Sequence, residues 1–368
     1  MVIAARPSIL VVLIAGIGDL VMASPSLRAI RNGHPDAHIH LLTSTDALPI
    51  AKHYPLVDEI SAFPIRELRR DKKHLLEIPG MLWELRQKRF DLAVNLFRVA
   101  SLTGAIKMGL LIRASGAPTR VGHDRFGFGL FLTDTVPSAT FNGHHIVEAM
   151  LEIAARAGGI PDNLGLEVSW DAQVDAKWDR FASPSGEIVV GIHPGGDRET
   201  KRWHPERFAA VAAEIAARFP TRIVLLGGPS DIALAARIEG RLPADCAVSN
   251  LAGKVPLAEL ACLISRLDLL LTNDNGPMHI AAAVKTPVVA LFGPSDPRLN
   301  GPYTDPERYR VIRKNVSCER PCELKRCPHP SCMDLISVAE VAAACTELLT
   351  GRSRQCRLPE GCNGLDDE

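Results

Sequence analysis

Residues 269–293, LLLTNDNGPMHIAAAVKTPVVALFG, contain the pattern that decides the fold. Two aliphatic runs, Leu267–Thr272 and Pro287–Phe292, flank a short helical segment that opens with a polar turn at 273–277. Continuous apolar runs without alternation are typical of strands in a parallel sheet that is buried on both faces. The polar turn is therefore expected at the carboxyl end of its strand, where open α/β sheets bind ligands.

The polar turn of this unit can present several chemical groups to one ligand. Pro277 suits the first position of a helix, where the missing backbone N–H costs nothing. Gly276 lets another molecule approach the backbone, and the free N–H groups of a helix start attract anions. Asp274 precedes the helix and His279 lies one turn inside it. The turn therefore offers a carboxylate, the accessible backbone of Gly276 and an imidazole at one place.

The length and composition indicate a protein of two globular domains. The chain has 368 residues, of which 46% are apolar, and this length exceeds one ordinary core. Strand and helix patterns alternate, which favours α/β domains of the doubly wound type with a cleft between them. The proline- and glycine-containing stretch 161–186 predicts a linker, so we expect domains at 1–170 and 171–350. The polar tail 351–368 is expected to be disordered.

Charge and hydropathy exclude two classes of protein. The 42 Lys and Arg residues balance 42 Asp and Glu residues, so no overall field attracts nucleic acid. The apolar run Ile9–Ile17 is shorter than the roughly 20 residues that span a bilayer, and we interpret it as a buried first strand. Nine cysteines, three of them single in apolar surroundings, favour a reducing compartment. We therefore expect a cytoplasmic protein, and we expect it to be a monomer.

The segment 65–89 is rich in Arg and Lys and predicts two amphipathic helices broken at Pro79-Gly80. One interpretation of its charges is a solvated helix face. The other is a surface, around 66–73 and 86–89, that meets anionic lipid or an anionic glycolipid acceptor. The following stretch, 105–136, mixes glycine with basic and aromatic residues and is expected to be irregular structure around a cleft.

A glycine loop that contains Gly16, Gly18 and Asp19 follows the predicted first strand. It begins like a dinucleotide-binding fingerprint, but Val21 stands where G-x-G-x-x-G requires its third glycine, so the fingerprint fails. The glycines allow another molecule to approach the backbone beside Asp19. The Asp19 carboxylate is either a cap of the next helix or a general base that faces the interdomain cleft.

Glycine or polar loops also follow three predicted strands in the second half. Gly195-Gly196 can form a backbone nest for phosphate, and Lys201 is a mobile positive charge just ahead of a helix. Gly227-Gly228 follows the next strand, and the turn at 273–277 completes the set. A Walker motif is absent from the sequence, because no GK[ST] stands at the required spacing. Together these loops predict a phosphate-bearing ligand.

Several stretches resemble the bacterial heptosyltransferases of glycosyltransferase family 9. They are LIAGIGDLVMASPSLRAIR, IVVGIHPGGDRETKRWHPERF, IVLLGGPSD, NLAGKVPLAELACLI and LLLTNDNGPMHIAAAVKTPVVALFGPSDP. The resemblance covers the chain to about residue 345, and N-D-x-G-P-M-H-x-A-A-A with an upstream K-x-W is specific. It implies a GT-B architecture of two Rossmann-like domains, with the acceptor in the first and the donor in the second. The implied reaction is inverting transfer of heptose from ADP-heptose to the inner core of lipopolysaccharide, on a lipid A-Kdo acceptor.

The same resemblance implies a set of site residues. Asp19 would take the proton from the acceptor hydroxyl, and Lys201 would stabilise charge on the departing ADP, work that a metal does in other transferases. No cofactor is then required for catalysis. The implied donor-binding residues are Gly195, Gly196, Thr200, Gly228, Ser230, Val255, Asp274, Asn275, Gly276 and His279. The acceptor-binding candidates are Gly16, Gly18, Arg120 and His123.

Four cysteines stand close together near the C-terminus, Cys318, Cys322, Cys327 and Cys332. Zinc ribbons favour C-x2-C pairs, so these spacings fit a structural zinc only in part. Surface thiols without a metal and disulfides are the alternatives. The chemistry implied above needs none of these four residues.

Three other functions stay open at this point. A family relative could transfer a different sugar to a surface polysaccharide, and a non-catalytic protein could bind a nucleotide sugar without turnover. A nucleotide-sugar epimerase shares the bilobal architecture but not this set of motifs. The presence of both Asp19 and Lys201 argues against a protein that has lost catalysis.

Overall fold

The apolar runs of the sequence form parallel strands whose two faces are both covered. The computed structural model describes residues 6–137, 143–182, 186–318 and 321–355. Within these ranges the strands make two parallel sheets of six strands each. We call the part of the chain that carries the first sheet the first lobe, and the part that carries the other sheet the second lobe.

The first sheet is built around a central strand whose residues 9–13 are all apolar and buried. Its strands are β1 (Ser8–Leu13), β2 (His38–Ser44), β3 (Glu59–Phe63), β4 (Leu92–Asn95), β5 (Thr119–Asp124) and β6 (Asp134–Pro137). They lie in the order β3-β2-β1-β4-β5-β6. Val11 of β1 pairs with Leu41 on one side and with Val94 on the other. The helices of this lobe are α1 (Ile17–Met22), α2 (Ser24–Gly33), α3 (Leu48–Ala51), α4 (Ile65–Arg70), α5 (Ile78–Gln87), α6 (Leu102–Ala114) and α7 (Ile146–Arg156).

The second sheet repeats this plan. Its strands are β7 (Ile188–His193), β8 (Thr221–Leu225), β9 (Ala247–Asn250), β10 (Leu269–Asn273), β11 (Val288–Phe292) and β12 (Tyr309–Arg313), in the order β12-β11-β10-β7-β8-β9. Leu271 of β10 pairs with Ile192 on one side and with Val289 on the other. The helices from the linker onward are α8 (Asp175–Trp178), α9 (Pro205–Ala216), α10 (Ile232–Glu239), α11 (Leu260–Ser265), α12 (Gly276–Ala283), α13 (Pro297–Asn300), α14 (Ser331–Asp334) and α15 (Val338–Gln355).

Both sheets have the strand order of a doubly wound Rossmann-like fold, which confirms the predicted two-lobed GT-B class. In each sheet the order reverses between two neighbouring strands, β1 and β4 in the first lobe and β7 and β10 in the second. Open α/β sheets bind ligands outside the carboxyl ends of the strands at such a reversal. The loops that follow these four strands are therefore the place to look for a site.

The predicted break of the segment 65–89 at Pro79-Gly80 is wrong. The segment forms α4, a 3₁₀ turn at Lys72–Leu76 and α5, and Pro79 lies in the first turn of α5. Proline is tolerated there because the first backbone N–H groups of a helix have no partner within it. The chain changes direction instead at Asp71, which has an extended backbone and caps the 3₁₀ turn.

The expectation of irregular structure at 105–136 is also wrong, since this stretch holds most of α6, all of β5 and most of β6. The glycines that suggested irregular structure serve packing. A Cβ at Gly109 would lie 3.1 Å from Cβ of Phe131, so the glycine lets this aromatic side chain pack directly on α6. Glycine in a helix weakens it only modestly, and close packing of a large ring can offset that loss.

At the C-terminal end, α15 continues to Gln355, so the first five residues of the predicted disordered tail 351–368 are helical. Residues 356–368 of the predicted disordered tail lie outside the described residues. Among the helices that the structure describes, none has the length and apolar character needed to cross a membrane. The domain limits drawn at 170 and 350 stay a prediction.

The two lobes meet where α1 packs against α12. A Cβ on Gly18 would lie 2.7 Å from Cδ2 of His279, and a Cβ on Gly276 would lie 3.2 Å from Cβ of Ile17. The helices therefore approach so closely that a side chain at Gly18 has no room. Apolar side chains of both lobes, with Leu20 on α1 and Met278 on α12 among them, belong to one continuous buried cluster around this contact.

We expect Gly18→Ala to lower the free energy of unfolding by about 1–3 kcal/mol, because the new methyl group must displace His279 or separate the helices. Gly80→Ala is the control, since a Cβ at Gly80 has nothing within 4 Å. The control should be neutral or raise stability by up to about 1 kcal/mol. Urea unfolding of both variants measures the difference, and a Gly18→Ala protein as stable as the native one would contradict this account of the contact.

Candidate functional site

Three loops meet where the two sheets reverse their strand order. Asp19 follows β1 and lies in the first turn of α1. Lys201 lies in the loop after β7, and Asp274 lies in the loop after β10. The charges of Lys201 and Asp274 both act on the carboxyl of Asp19, so the three groups share one site although they come from different lobes. The structure thus brings together the residues predicted for proton removal and for binding of phosphate and sugar.

Asp19 is held at the start of α1 by its own loop. Gly16 caps the helix, and its backbone N–H donates to Oδ2 of Asp19 over 3.3 Å. Burial raises the pKa of the Asp19 carboxyl. The hydrogen bond from Gly16 and the positive charges of Arg98 and Lys201 lower this pKa, but burial has the larger effect. A carboxylate with a raised pKa is a stronger proton acceptor, which suits a general base.

A buried ion pair lies near Asp19. Nζ of Lys201 is 2.9 Å from Oδ2 of Asp274 and 3.4 Å from Oδ1 of the exposed Asp197. The side chains of Lys201 and Asp274 are only 15% and 6% exposed. Ser295, in the loop after β11, donates its hydroxyl hydrogen to the same oxygen of Asp274. Charges shielded from water act more strongly on a ligand, so this cluster is a preorganised electrostatic site that can receive a phosphate.

Two asparagines hold the loop after β10 against the loop after β7. Asn273 donates from Nδ2 to the carbonyl oxygens of Pro194 and Gly195 over 2.8 and 3.2 Å. Its Oδ1 accepts the backbone N–H of Trp203 at 3.1 Å. Because Asn273 and Trp203 are buried, these hydrogen bonds are protected from water and fix the path of the chain around Lys201.

Asn275 is the second asparagine that joins the two loops, and it also caps α12. Its Oδ1 accepts from the backbone N–H of Met278 at 3.3 Å and from the hydroxyl of Thr272 at 3.0 Å. Its Nδ2 donates to the carbonyl of Gly195 and to Nδ1 of His193, each over 3.0 Å. An amide side chain offers two donors and two acceptor positions, and all four are used. Asn275 therefore connects the two loops, and its predicted contact with a donor stays a prediction.

The cysteine-containing segment packs against the loop that carries Lys201. The hydroxyl of Thr200 donates to the carbonyl of Leu324 over 3.1 Å, and Nη1 of Arg198 donates to the carbonyl of Cys322 over 3.0 Å. Thr200 is buried, so its hydroxyl serves this contact rather than the predicted donor. No pattern in the sequence predicts the contact, because each pair of partners is 124 residues apart.

A buried carboxylate that the sequence patterns did not identify, Asp231, joins two glycine loops. Its Oδ2 accepts the backbone N–H of Gly228 at 3.0 Å. A Cβ on Gly195 would lie 2.5 Å from the same oxygen, so glycine is needed at 195 to admit the carboxylate. The position of Asp231 directly after G-G-P-S is the signal that could have found it. The predicted nest at Gly195-Gly196 is thus shaped partly by a side chain from the next loop.

The other predicted donor-binding residues lie around the same loops. The carbonyl of Gly196 accepts two hydrogen bonds from Arg202, from Nε at 3.0 Å and from Nη2 at 2.7 Å. Ser230 is exposed, and Val255 is half-buried against the edge of the core. Gly276 is the first residue of α12, where the positive end of the helix dipole faces the site. Their contacts with a donor stay predictions.

His279 is a neutral imidazole at the contact between the lobes. It is 4% exposed, and burial lowers its pKa to about 4. Within the described ranges its Nδ1 has no hydrogen-bond partner. His145, which caps α7 in the first lobe, donates from Nε2 to the carbonyl of Gly301 in the second lobe over 3.1 Å. Two histidines from different lobes therefore lie where the lobes meet, and burial lowers the pKa of His145 as it does that of His279.

Arg98 and Arg125 are site residues that the sequence patterns did not identify. They follow β4 and β5, which are the next strands after β1 across the sheet. The positive charge of Arg98 acts both on Asp19 and on Arg125, and burial together with this charge lowers the pKa of Arg125. Two neighbouring positive charges, one of which acts on Asp19, attract an anionic group. The sequence signal that could have identified Arg98 and Arg125 is their position just after two strands, β4 and β5.

The predicted acceptor-binding residues Arg120 and His123 lie within β5 and make contacts inside the first lobe. The guanidinium of Arg120 donates to the carbonyls of Phe131 and Ala117, each over 2.8 Å. His123 is 6% exposed, and burial lowers its pKa to about 4. These contacts support the chain between β5 and β6. Gly18 likewise serves the contact between the lobes, so an acceptor role for these residues and for Gly16 stays a prediction.

The structural zinc is predicted at the four-cysteine segment. In the part of the chain that the structure describes, no three His, Cys, Asp or Glu side chains are grouped as ligands of one metal ion. Cys318, Cys322 and Cys327 also form no disulfide with another described residue. Cys332 lies in α14 with its Sγ 3.3 Å from the position of a Cβ on Gly293. A structural zinc at these four cysteines stays a prediction, as do free thiols without a metal.

Comparison with known proteins relates the chain to one family of enzymes. The model of the family described as glycosyltransferase family 9 (heptosyltransferase) matches residues 81–331. Lipopolysaccharide heptosyltransferase 3 of Escherichia coli is 27% identical over 352 residues, which are 90% of this chain and 96% of that protein. Lipopolysaccharide heptosyltransferase 2 of Escherichia coli strain K12 is 28% identical over 318 residues, which are 83% of this chain and 87% of that protein.

A solved structure agrees with the fold over almost the whole chain. The crystal structure of the glycosyl transferase family 9 protein from Veillonella parvula DSM 2008 superposes with a TM-score of 0.78. The two sequences are 25% identical, and the match covers 94% of this chain and 98% of that one.

We expect Asp19→Asn to raise the melting temperature near neutral pH. Because the pKa of Asp19 is raised in the folded protein, the folded state holds this proton more tightly than the unfolded chain does. Stability is therefore lost as pH rises from the ordinary Asp value, 3.8, through the raised value. The Asn side chain of the variant does not ionise, so the variant does not lose this stability. Its gain in melting temperature over the native protein should therefore shrink as pH falls towards 3.8. Asp36→Asn, at an exposed position, is the control, and equal melting temperatures for native protein and Asp19→Asn at every pH would contradict the inference.

Proposed function

Because this chain belongs to glycosyltransferase family 9 and is therefore a glycosyltransferase, we propose that it transfers heptose from ADP-heptose to the inner core of a lipopolysaccharide precursor. The observation that carries the proposal is the meeting of Asp19 from the first lobe with Lys201 and Asp274 from the second. The names of the relatives, lipopolysaccharide heptosyltransferases 2 and 3, support heptose as the sugar and lipopolysaccharide as the acceptor.

In this proposal Asp19 is the general base. It takes the proton from the acceptor hydroxyl as that oxygen attacks the anomeric carbon of the heptose, and the bond to ADP breaks on the opposite face. The configuration at that carbon is therefore inverted. The hydrogen bond from Gly16 orients one carboxylate oxygen and leaves the other for the proton. The raised pKa of Asp19 brings its basicity nearer to what proton transfer requires.

Lys201 and the start of α12 take up the charge that develops on the departing ADP. Lys201 has two anionic partners, and Asp197 is the weaker one because it is exposed and farther from Nζ. A donor phosphate therefore takes the place of Asp197 at Nζ, while the buried Asp274 remains paired with Lys201. The amino end of α12 adds the favourable dipole that helix starts offer to phosphates. Asp274, oriented by Ser295, holds hydroxyl groups of the sugar. This scheme uses no cofactor.

Arg98 and Arg125 bind the acceptor side of the reaction. A lipid A-Kdo acceptor carries carboxylate and phosphate groups close to the hydroxyl that reacts. The two arginines follow neighbouring strands, and the charge of Arg98 acts on both Asp19 and Arg125, so the pair can orient such an anion while the hydroxyl faces the carboxylate. We place the protein at the cytoplasmic face of the inner membrane, where this acceptor is presented.

The nucleotide of the donor separates this proposal from its main alternative, transfer of a different sugar to a surface polysaccharide. Calorimetric titration with ADP, GDP, UDP and CDP tests it without the acceptor. Selective binding of ADP supports ADP-heptose, and a preference for UDP or GDP would replace the donor. A non-catalytic binding protein is the other alternative. It would be excluded if Asp19→Asn binds ADP normally and abolishes transfer that the native protein carries out.

We expect Lys201→Ala to reduce kcat by a factor of about 10²–10³, which corresponds to about 2–4 kcal/mol of lost transition-state stabilisation. The physical reason is the loss of the positive charge that meets the departing phosphate. Lys254→Ala, at an exposed lysine of the same lobe, should leave kcat unchanged. Steady-state transfer from ADP-heptose measures both variants, and unchanged turnover in Lys201→Ala would refute the role of Lys201.

We expect Arg98→Ala to raise KM for the acceptor at least tenfold, because a charged hydrogen-bonding partner of an anion is worth about 1.5–3 kcal/mol. Affinity for ADP should stay within a factor of two, since Arg98 lies in the first lobe. Lys52→Ala, at an exposed cation of the first lobe outside residues 65–130, is the control. A larger effect on ADP binding than on the acceptor would place Arg98 in the donor site instead.

A further inference from the structure

Exposed apolar side chains are concentrated on one side of the first lobe. Of the thirteen large apolar residues that are exposed in the described part of the chain, eight lie between residues 75 and 130. Leu76 is 85% exposed, Trp83 is 66% exposed and Leu130 is 89% exposed. Scattered exposed apolar residues need no explanation, but a concentration of this kind marks an interaction site.

The outer face of α6 carries part of this set as a continuous stripe. Leu102, Ile106 and Leu110 recur at every fourth position, and each is more than half exposed. The opposite side of the helix is also apolar, with Met108 and Ile112 in the core of the lobe. A surface helix with only core contacts has a polar outer face, so the apolar outer face of α6 predicts a second contact.

The elements that carry these residues form one layer. Helices α5 and α6 pack side by side, and the guanidinium of Arg86 on α5 lies against Gly116, just beyond the end of α6. The loop between β5 and β6 covers the other flank, where Arg113 of α6 donates to the carbonyl of Leu130 over 3.4 Å. Trp83, the α6 stripe and Leu130 therefore belong to the same side of the lobe, which we call the basic apolar face.

Positive charge is concentrated in the same segment. Residues 65–130 contain thirteen Lys and Arg but six Asp and Glu, whereas the whole chain is neutral. Several of these cations are exposed and make no ion pair within the described ranges, and they alternate along the chain with the apolar residues. They are Arg70, Lys72, Lys73, Arg86, Arg89 and Lys107. Apolar side chains flanked by unpaired cations are typical of surfaces that lie in the interface of an anionic bilayer.

We propose that the basic apolar face docks on the surface of an anionic lipid bilayer, with Trp83, Leu110 and Leu130 inserted among the lipids. Anionic headgroups complement the unpaired cations, and the acyl boundary accepts the exposed apolar side chains. A second copy of the chain fits less well, because a two-fold dimer through this face would bring the same positive charges together. The proposal adds inserting residues to the basic segments already expected to meet lipid, and it does not depend on which sugar is transferred.

The basic apolar face is continuous with the catalytic cleft. The guanidinium carbon of Arg125 lies 4.6 Å from the centre of the exposed Phe126 ring. The charge of Arg98 acts on Arg125 and also on Asp19, so the three residues link this face to the cleft. A headgroup reached from the docked face would therefore meet the two arginines before it meets the general base. Docking in this orientation shortens the path of a lipid-anchored acceptor to Asp19.

Trp83 provides the direct test. Of the four tryptophans of the chain, Trp178 and Trp203 are 2% and 1% exposed, and Trp170 is half-buried after the first lobe, where its Nε1 donates to Asp175 over 3.1 Å. A change in lipid contact of the first lobe should therefore act mainly on Trp83. With vesicles of phosphatidylglycerol and phosphatidylcholine we expect co-sedimentation, a blue shift of the emission and quenching by brominated lipid. With pure phosphatidylcholine vesicles, we expect co-sedimentation, the blue shift and the quenching all to be much smaller. Trp83→Phe should abolish the blue shift and the quenching while most of the protein still sediments.

Matched variants separate the apolar and electrostatic contributions. Leu130→Glu and Leu110→Glu should each weaken vesicle binding about tenfold or more, since each replaces an inserted apolar side chain by a charge. Ile160→Glu, at a site 60% exposed outside this layer, should change binding little. Lys107→Glu should weaken vesicle binding and make that binding less dependent on salt concentration. Lys285→Glu makes the same charge change on the second lobe and, as the control, should change vesicle binding little.

The proposal is overturned if native protein does not bind anionic vesicles, or if Trp83 emission is unaffected when it binds. It is also overturned if light scattering shows a dimer that Leu110→Glu dissociates, because the face would then be an interface between copies. ADP affinity should be equal in the native protein and in all these variants. A failure of vesicle binding with intact ADP binding therefore rejects the docking face and leaves the proposed transferase activity standing.

Discussion

The packing of α1 on α12 sets the geometry of the whole site. Gly18 and Gly276 carry no side chains, so the first turns of two helices from different lobes approach until backbone and the ring of His279 are in contact. Asp19 lies on one of these turns, and Asp274 lies just before the other. A general base and an anion-binding cluster are therefore fixed relative to each other by helix packing, which is stiffer than loop contacts. The buried apolar cluster shared by both lobes stabilises this arrangement.

Around this contact, buried polar side chains fall into two groups. Asn273, Asn275 and Asp231 are satisfied by hydrogen bonds within the protein, and they hold the loops of the second lobe in place. Asp19 and His279 are different, because the pKa of each is shifted by burial and Nδ1 of His279 lacks a partner within the described residues. Satisfied groups give the site its shape, and incompletely satisfied groups are those with capacity left for a ligand.

The two lobes also differ in how their positive charges are arranged. The chain is neutral overall, yet the segment that covers one side of the first sheet is strongly basic. In the second lobe the cation of Lys201 is buried and paired with Asp274, so it is available only to a ligand that enters the cleft. Net charge excluded a general attraction to nucleic acid, but it could not reveal these two local arrangements.

The sequence by itself determined the parallel sheets and the positions of Asp19, Lys201 and Asp274 after strands, because buried strands need apolar runs and ligand loops must follow them. Only the tertiary structure decided what many loop side chains do. Asn275 has the same local pattern whether it binds a ligand or clamps a loop, and the answer depends on His193, which is 82 residues away. The helix α6 carries apolar side chains on opposite sides, so its pattern could not say which apolar side faces solvent. Local periodicity specifies which elements form, whereas hydrogen-bond satisfaction and exposure depend on residues that are distant in the chain.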